Sequence, residues 1–270
     1  MTSIPRTQSM KVVILCGGYG TRIRDVSADI PKPMVPIGDL PILWHIMKFY
    51  ACHGFTDFLL CLGYKGHVIK EFFLDYRART SDFTITLGEG GGMRYHTDHS
   101  ETKWNVTLAE TGLETMTGGR IARIEKYLGE DDEFMLTYGD GLSDVNLTEL
   151  LAFHRTHGRT ITVTGVRPPG RFGELNADEN GAVIEFNEKP QASGGRINGG
   201  YFVCRRDLFK YLKGGDGLVF EQEPVRALVR DRQLMIYEHD GFWQPMDTYR
   251  DFSYLNGLLS KGQAPWKIWT

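Results

Sequence analysis

Residues 11–22 read Lys-Val-Val-Ile-Leu-Cys-Gly-Gly-Tyr-Gly-Thr-Arg, and Pro31-Lys32-Pro33-Met34 follows shortly after them. The apolar run over 11–16 predicts a buried strand, and the glycines behind it predict a tight turn. Because glycine has no Cβ, backbone N–H groups in such a turn can approach phosphate oxygens closely. Arg22 adds a planar fork of donors and Lys32 adds a compact positive charge. This stretch therefore predicts an enzyme that binds a nucleoside triphosphate.

Strand-like and helix-like segments alternate along the first two thirds of the chain, which is typical of an α/β protein. A strand over 57–62 follows a helix over 42–50 that begins after Pro41. Further strands are predicted at 83–87, 105–109, 133–138, 160–166, 183–186 and 200–204, and further helices at 67–76, 120–128, 147–157, 223–230 and 248–260. The pattern predicts a Rossmann-like, mostly parallel mixed sheet flanked by helices, with a smaller α+β portion. We expect a single domain over 10–270 and a disordered extension over 1–9.

Composition narrows the functional class. The chain has 270 residues, of which 41% are apolar, and its formal net charge of −3 gives no indication of a nucleic-acid or membrane surface. No apolar run approaches the roughly 18 residues of a transmembrane helix, and residues 1–10 lack the apolar core of a secretory signal. Cys16, Cys61 and Cys204 lie in apolar runs and, like Cys52, form no C-x-x-C pair. We expect reduced, packed thiols in a cytoplasmic protein.

The glycine turn has alternative interpretations. It could serve only to connect a strand to a helix. It also resembles half of a dinucleotide fingerprint, but Ile23 stands where G-x-G-x-x-G requires its third glycine. A Walker A loop is excluded because no Gly-Lys-Ser/Thr follows. The interpretation that remains is a phosphate-binding loop with its own arginine and a lysine downstream.

The segment over 15–22, together with Pro31-Lys32-Pro33, resembles the signature of the sugar-1-phosphate nucleotidyltransferases. The resemblance extends over nearly the whole chain. Further similar blocks lie at 41–47, 116–120, 137–141, 168–173, 188–190, 197–200, 241–248 and 264–267. Two of them, Met-Thr-Gly-Gly-Arg over 116–120 and Phe-Trp-Gln-Pro-Met-Asp over 242–247, are most similar to the branch that uses CTP and glucose 1-phosphate. The resemblance implies the nucleotide-diphospho-sugar transferase type of fold, in which the smaller portion binds the sugar.

The resemblance also implies which residues meet the nucleotide. The implied nucleotide-binding residues are Leu15, Gly17, Gly18, Gly20, Thr21, Arg22, Lys32, Thr115, Arg120 and Gly139. Arg22 and Lys32 are expected to take part in catalysis by neutralising phosphate charge. Thr115 and Arg120 are expected to help read the base.

Two aspartates are the candidate metal ligands. From the residues alone, Asp140 could be a plain Asp-Gly turn residue, and Asp247 could be the N-cap of the helix that follows it. The resemblance assigns both to Mg²⁺ and to catalysis. One or two carboxylates suffice for this ion, because it usually keeps waters and substrate phosphates as its other ligands.

A second set of sequence matches to the family implies which residues bind the sugar phosphate. By resemblance, Gly173, Glu188, Lys189, Asn198 and Trp243 bind the sugar phosphate, and Lys189 holds its phosphate group. Each has a simpler alternative: Lys189 could be a surface lysine, Asn198 a turn amide and Trp243 a core aromatic. The eight histidines show no metal-ligand spacing, so we expect them to be surface or core residues.

The resemblance implies a Mg²⁺-assisted in-line transfer of a cytidylyl group from CTP to α-D-glucose 1-phosphate, giving CDP-glucose and pyrophosphate. Because base choice depends on a few hydrogen bonds, a uridylyl- or thymidylyltransferase acting on a hexose 1-phosphate is the alternative. A non-catalytic sugar-nucleotide sensor is an alternative from another class, and a nicotinamide dehydrogenase is disfavoured by Ile23. We expect a closed homo-oligomer such as a hexamer, no nucleic-acid or membrane partner, and a role in deoxysugar synthesis for a surface polysaccharide.

Overall fold

The computed structural model describes residues 10–18, 30–168, 174–177, 179, 182–187 and 195–269. The strands are β1 (Lys11–Leu15), β2 (Pro36–Ile37), β3 (Leu40–Pro41), β4 (Asp57–Leu62), β5 (Phe83–Ile85), β6 (Met93–Tyr95), β7 (Asn105–Glu110), β8 (Glu133–Tyr138), β9 (Gly141–Ser143), β10 (Ile161–Val166), β11 (Glu174–Ala177), β12 (Val183–Asn187), β13 (Ile197–Arg205), β14 (Leu234–His239) and β15 (Trp243–Pro245). The helices are α1 (Ile42–Cys52), α2 (Gly66–Leu74), α3 (Tyr76–Thr80), α4 (Thr117–Arg123), α5 (Leu147–His157), α6 (Glu223–Arg230) and α7 (Tyr249–Ser260). Short 3-10 helices lie at Lys32–Met34, Glu125–Tyr127, Arg206–Tyr211 and Gly215–Gly217.

Seven strands form the central sheet in the order β14-β10-β13-β8-β1-β4-β7. Strand β1 pairs in parallel with β4 and β8, β4 in parallel with β7, and β10 in parallel with β14. Strand β13 runs antiparallel to both β8 and β10. The predicted mostly parallel mixed sheet is therefore confirmed, and one reversed strand joins its two parallel halves.

Burial on both faces explains why β1 reads as a continuous apolar run. Val12 and Ile14 pack in one core cluster and Val13 and Leu15 in the other, because successive side chains of a strand point to opposite faces. Helix α1 covers the first face, where Ile42, among others, is fully buried. Ile121 of α4 packs in the cluster on the second face. Layers on both sides of the sheet leave its carboxyl-terminal edge open for a site.

Most predicted elements are confirmed within a few residues. Helix α4 begins at Thr117, earlier than predicted, because Gly118 and Gly119 let its first turn pack closely on another segment. A Cβ at Gly118 would lie 2.8 Å from the Leu218 side chain, and one at Gly119 would lie 2.8 Å from the Gly215 carbonyl oxygen. These glycines, which normally disfavour a helix, are therefore required by the contact.

Several strands lie outside the sequence prediction. Strand β14 was not predicted, although residues 234–237 form a short run of apolar and aromatic side chains, and it is an edge strand on which the exposed residues alternate with partly buried ones at its end. The predicted strand over 83–87 is only Phe83–Ile85 and pairs with β6 in an exposed hairpin. Cys16, Cys61 and Cys204 are buried and free, as predicted, and Cys52 is exposed. None of the described helices has the length and apolarity to span a membrane.

Candidate active site

The carboxyl ends of β1, β4, β7 and β8 meet at one edge of the sheet because these four strands are parallel. A cavity of about 480 Å³ opens at this edge. Its lining includes Leu15, Gly17, Gly18, Lys32, Thr115, Thr117, Arg120, Tyr138, Gly139, Asp140 and Asp247. The structure thus brings every described member of the predicted nucleotide-binding and catalytic sets around one space.

Lys32 lies between the two candidate metal ligands. Its Nζ donates to Asp140 Oδ2 at 2.6 Å and to Asp247 Oδ1 at 2.5 Å. The lysine side chain is 13% exposed, and the two carboxylates are 33% and 30% exposed. A 3-10 turn over Lys32–Met34 places the ammonium, and the buried Pro33 anchors that turn. One positive charge therefore holds two carboxylates at the mouth of the cavity.

A small strand pair explains why two aspartates so distant in sequence meet. Strand β9 starts directly after Asp140, β15 ends two residues before Asp247, and the two strands pair with Gly141 opposite Pro245. The Met246 N–H also donates to the Asp140 carbonyl at 2.8 Å. The backbone ladder thereby sets the separation of the two carboxylates.

The N-cap alternative for Asp247 is wrong. Thr248 caps α7: its hydroxyl accepts from the Asp251 N–H, and the Asp251 carboxylate accepts from the Thr248 N–H in a reciprocal capping box. The Asp247 N–H also donates to Asp251 at 3.1 Å. Since the cap is provided by its neighbours, the Asp247 carboxylate can turn to Lys32.

Opposing effects act on the pKa of Lys32. Burial lowers it, but the charge of Asp140 and the hydrogen bonds to Asp140 and Asp247 outweigh burial, so the pKa lies above its ordinary value. Lys32 therefore remains a cation at neutral pH and offsets part of the charge of the two carboxylates. The donor set itself suits a hard divalent cation, since two carboxylate oxygens already converge on one positive centre.

Arg120 is 5% exposed and joins three strand ends. Its guanidinium donates to the carbonyls of Leu62, Gly17, Gly112 and Leu113 and to the Thr111 hydroxyl, at 2.7–3.2 Å. Cβ atoms at Gly17 and Gly63 would lie 2.2 Å and 2.4 Å from this group, so glycine is needed at both positions. Arg120 lines the cavity, and its hydrogen bonds hold together the strand ends around the predicted nucleotide site.

The other described residues that were predicted to bind the nucleotide include Gly139, Gly18 and Thr115. The Gly139 N–H donates to the Leu15 carbonyl at 3.1 Å, and a Cβ on Gly139 would lie 3.0 Å from that same oxygen. A Cβ at Gly18 would have no atom of the described residues within 4 Å. Thr115, which is 4% exposed, lines the same cavity two residues before α4 begins. Gly20, Thr21 and Arg22 lie outside the described residues.

A smaller cavity of about 40 Å³ adjoins Asp140 and contains two predicted sugar-side residues, Asn198 and Trp243. The Trp243 indole N–H donates to the Gly199 carbonyl at 2.7 Å. The Asn198 side-chain oxygen accepts from the Gly200 N–H at 2.8 Å. Asp140 lines both cavities, so the two spaces adjoin at one of the two candidate metal ligands. Gly173, Glu188 and Lys189 lie outside the described residues.

Three further side chains border the site and were not predicted: Tyr138, Glu221 and Thr117. The Glu221 carboxylate accepts from the Tyr138 hydroxyl at 2.5 Å and from the Thr117 hydroxyl at 2.7 Å. Tyr138 and Thr117 lie inside blocks that carried the family resemblance, so a signal was available for them. Glu221 follows a loop without any motif, and its role depends on the folded arrangement alone.

The chain is similar to known proteins over nearly its whole length. The nucleotidyl transferase family model matches residues 11–256. A glucose-1-phosphate cytidylyltransferase from Salmonella typhi is 48% identical over 96% of this chain and 100% of its own. A mannose-1-phosphate guanyltransferase from Gibberella zeae is 30% identical over 94% of this chain and 66% of its own. The crystal structure of apo-UDP-glucose pyrophosphorylase, 15% identical, matches with a TM-score of 0.67 over 94% of this chain and 99% of that one.

Proposed function

Since the chain belongs to the nucleotidyl transferase family, we propose that it transfers the cytidylyl group of CTP to α-D-glucose 1-phosphate. The products are CDP-glucose and pyrophosphate. The observation that carries this proposal is the convergence of Lys32, Asp140 and Asp247 on the larger cavity, whose lining shares Asp140 with the smaller one. The choice of cytidine and glucose is supported by 48% identity to a glucose-1-phosphate cytidylyltransferase, against 30% to a guanyltransferase.

The reaction is an in-line displacement at phosphorus. An oxygen of the sugar phosphate attacks the α-phosphorus of CTP and forms the new P–O bond. The bond between the α-phosphorus and the bridging oxygen breaks, and pyrophosphate leaves with that electron pair. Because the nucleophile is already an anion, the chain needs no general base and no covalent intermediate. Its work is alignment and charge neutralisation.

The charged groups divide that work. Lys32 neutralises charge near the α-phosphate, and its short bonds to both aspartates keep it from swinging away. The loop residues Gly17 and Gly18 offer backbone to the β and γ phosphates, together with Gly20, Thr21 and Arg22. Thr115 and Arg120 frame the base and nucleoside. Gly173, Glu188, Lys189, Asn198 and Trp243 receive the sugar phosphate.

Mg²⁺ is the proposed cofactor, held by Asp140 and Asp247. When bound, it would supply positive charge to the nucleotide oxygens as the displacement proceeds. Among the described residues no group of three or more His, Cys, Asp and Glu side chains forms a metal site. The two carboxylates are therefore expected to share the ion with waters and substrate phosphates.

A panel of CTP, UTP, dTTP and GTP with glucose 1-phosphate tests the proposal by pyrophosphate release, with and without Mg²⁺. We expect CTP to be used best and turnover to require the metal. Preference for UTP or dTTP would reassign the base, and the absence of turnover with every triphosphate would favour a sensor. The cytoplasmic location and the closed homo-oligomeric assembly stay predictions, which cell fractionation and light scattering can check.

A further inference from the structure

A chain of side-chain hydrogen bonds crosses the rim between the two cavities. The Tyr138 hydroxyl donates to Glu221 Oε1 at 2.5 Å, and the Thr117 hydroxyl donates to Glu221 Oε2 at 2.7 Å. On the other side, Asn198 Nδ2 donates to the Tyr138 hydroxyl at 3.3 Å. One carboxylate thereby connects the nucleotide wall, which contains Thr117, with the sugar cleft, which contains Asn198.

Packing fixes the Tyr138 ring. Tyr138 ends β8 and lines both cavities. Gly200 has a φ of +80°, and a Cβ there would lie 2.6 Å from the Tyr138 ring. The ring also makes an edge contact with Phe202, with centroids 6.0 Å apart. The phenol is therefore a rigid part of the partition between the cavities.

Proton positions along the chain follow from its chemistry. The Tyr138 hydroxyl donates to Glu221 Oε1 at 2.5 Å. An ionised carboxylate only accepts hydrogen bonds, so the single Tyr138 proton must point to Glu221. The lone pairs of the phenol then face Asn198, whose NH₂ group must be the donor.

This arrangement selects one of the two orientations of the Asn198 amide. The Gly200 N–H fixes the amide oxygen at 2.8 Å, and Tyr138 accepts from the amide nitrogen on the other side. Within the part of the chain that the structure describes, the second N–H and the remaining lone pair of the amide are available to the cleft. A fixed donor and acceptor of this kind can discriminate among sugar hydroxyl patterns.

We propose that Tyr138 and Glu221 are positioning residues that orient the Asn198 amide toward the sugar hydroxyls and so set selectivity for the hexose. The proposal rests on the proposed function, because it assigns the smaller cavity to the sugar phosphate. Thr117 connects this arrangement to the nucleotide wall, since its hydroxyl also accepts from the Phe220 N–H at 2.9 Å.

The variant Tyr138→Phe removes the hydroxyl and keeps the ring. We expect the KM for glucose 1-phosphate to rise about tenfold, while the KM for CTP and the kcat change less than about threefold. Glu221→Gln should also raise the KM for glucose 1-phosphate, but by less, because the amide oxygen can still accept a hydrogen bond from one of the two hydroxyls. The KM for glucose 1-phosphate of the double variant should be about the same as that of Tyr138→Phe, since both substitutions act through Asn198.

Selectivity among sugar phosphates distinguishes a positioning role from a purely structural one, because a loss of stability alone would not change it. A set of glucose 1-phosphates, each lacking one ring hydroxyl, is compared with glucose 1-phosphate itself. For the wild type, kcat/KM should be lower for at least one of these analogues than for glucose 1-phosphate by about tenfold or more. Tyr138→Phe should reduce this ratio of kcat/KM values to about threefold or less. Tyr237→Phe is the matched control, because it removes a phenol that donates to Glu149 at 3.2 Å outside both cavities.

The wild type is assayed first, so that failure of the proposed function is seen separately. If it uses another triphosphate or sugar phosphate, the variants are compared with that pair. If it shows no turnover, calorimetric titration of CTP and glucose 1-phosphate replaces the kinetics. An equal loss for nucleotide and sugar in Tyr138→Phe, or unchanged selectivity, would overturn the inference. Thermal unfolding of each variant identifies a loss that comes from misfolding.

Discussion

The nucleotide side and the sugar side of the site are built by different means. On the nucleotide side, parallel strand ends are joined by a buried arginine that donates to acceptors from three of them. On the sugar side, Asn198 and Trp243 are each held by one or two hydrogen bonds to glycine backbone or to Tyr138. The ends of parallel strands surround the first region, whereas the second region is formed by the start of the antiparallel strand β13 of the same sheet and by the short β9–β15 pair.

This difference has a consequence for function. Charge neutralisation depends on Lys32, Asp140 and Asp247, which short ion pairs and the β9–β15 pair hold together, so its loss should reduce kcat strongly. Recognition of the sugar depends on single hydrogen bonds, each worth about 1 kcal/mol, so its loss should mainly raise the KM for the sugar phosphate. The two sides can therefore be separated by kinetics, and the following variants are chosen to do so.

Asp140→Asn should have the largest effect, because Asp140 lines both cavities and pairs with Lys32. We expect kcat to fall by about 10²–10³, as when one electrostatic stabiliser is removed from a reacting centre. Pyrophosphate release at saturating substrates measures it. Asp98→Asn is the control, since that carboxylate is 73% exposed and pairs with Arg77 away from both cavities. Near-normal turnover would remove Asp140 from the mechanism.

Lys32→Ala should be the next most damaging change. We expect kcat/KM for CTP to fall about 10²-fold with less than a tenfold rise in KM, because the ammonium acts on charge that develops during the displacement. Steady-state kinetics with varied CTP separates the two constants. Lys210→Ala, which removes a lysine 73% exposed and paired with Asp207, should change neither. A loss confined to KM would make Lys32 a binder of the ground state.

The sequence carries a local pattern on the nucleotide side and none on the sugar side, and the reason is physical. A glycine turn after a buried strand is a local pattern and pointed to Gly17, Gly18 and Lys32, whereas Asp140 was assigned only through the family resemblance. The meeting of Asp140 and Asp247 depends on the pairing of β9 with β15, which no local pattern predicts. Glu221 reaches Tyr138 only through tertiary packing. The hydrogen bonds of Arg120 could not be predicted either, because their acceptors are backbone oxygens and a threonine hydroxyl of other segments.

Arg120→Lys should weaken the fold more than the chemistry. A lysine cannot reproduce the planar fork that meets acceptors on separate strand ends, so several buried carbonyls would lose their donor. We expect the free energy of unfolding to fall by about 2–3 kcal/mol, measured by urea denaturation. Arg206→Lys is the matched control, since that arginine donates to the Gly129 and Asp131 carbonyls on the surface. Unchanged stability with a raised KM for CTP would instead assign Arg120 to direct nucleotide contact.

Trp243→Phe should have the smallest effect and should appear on the sugar side alone. The indole N–H holds the Gly199 carbonyl at 2.7 Å, beside Asn198, and phenylalanine would leave that oxygen without this donor. We expect the KM for glucose 1-phosphate to rise about three- to fivefold with kcat and the KM for CTP nearly constant. Trp104→Phe, which changes a partly buried aromatic packed on Phe58, provides the comparison. If Trp243→Phe lowered kcat as much as Lys32→Ala, the sugar side would share the rigid electrostatic role of the nucleotide side, and the contrast between the two regions would not hold.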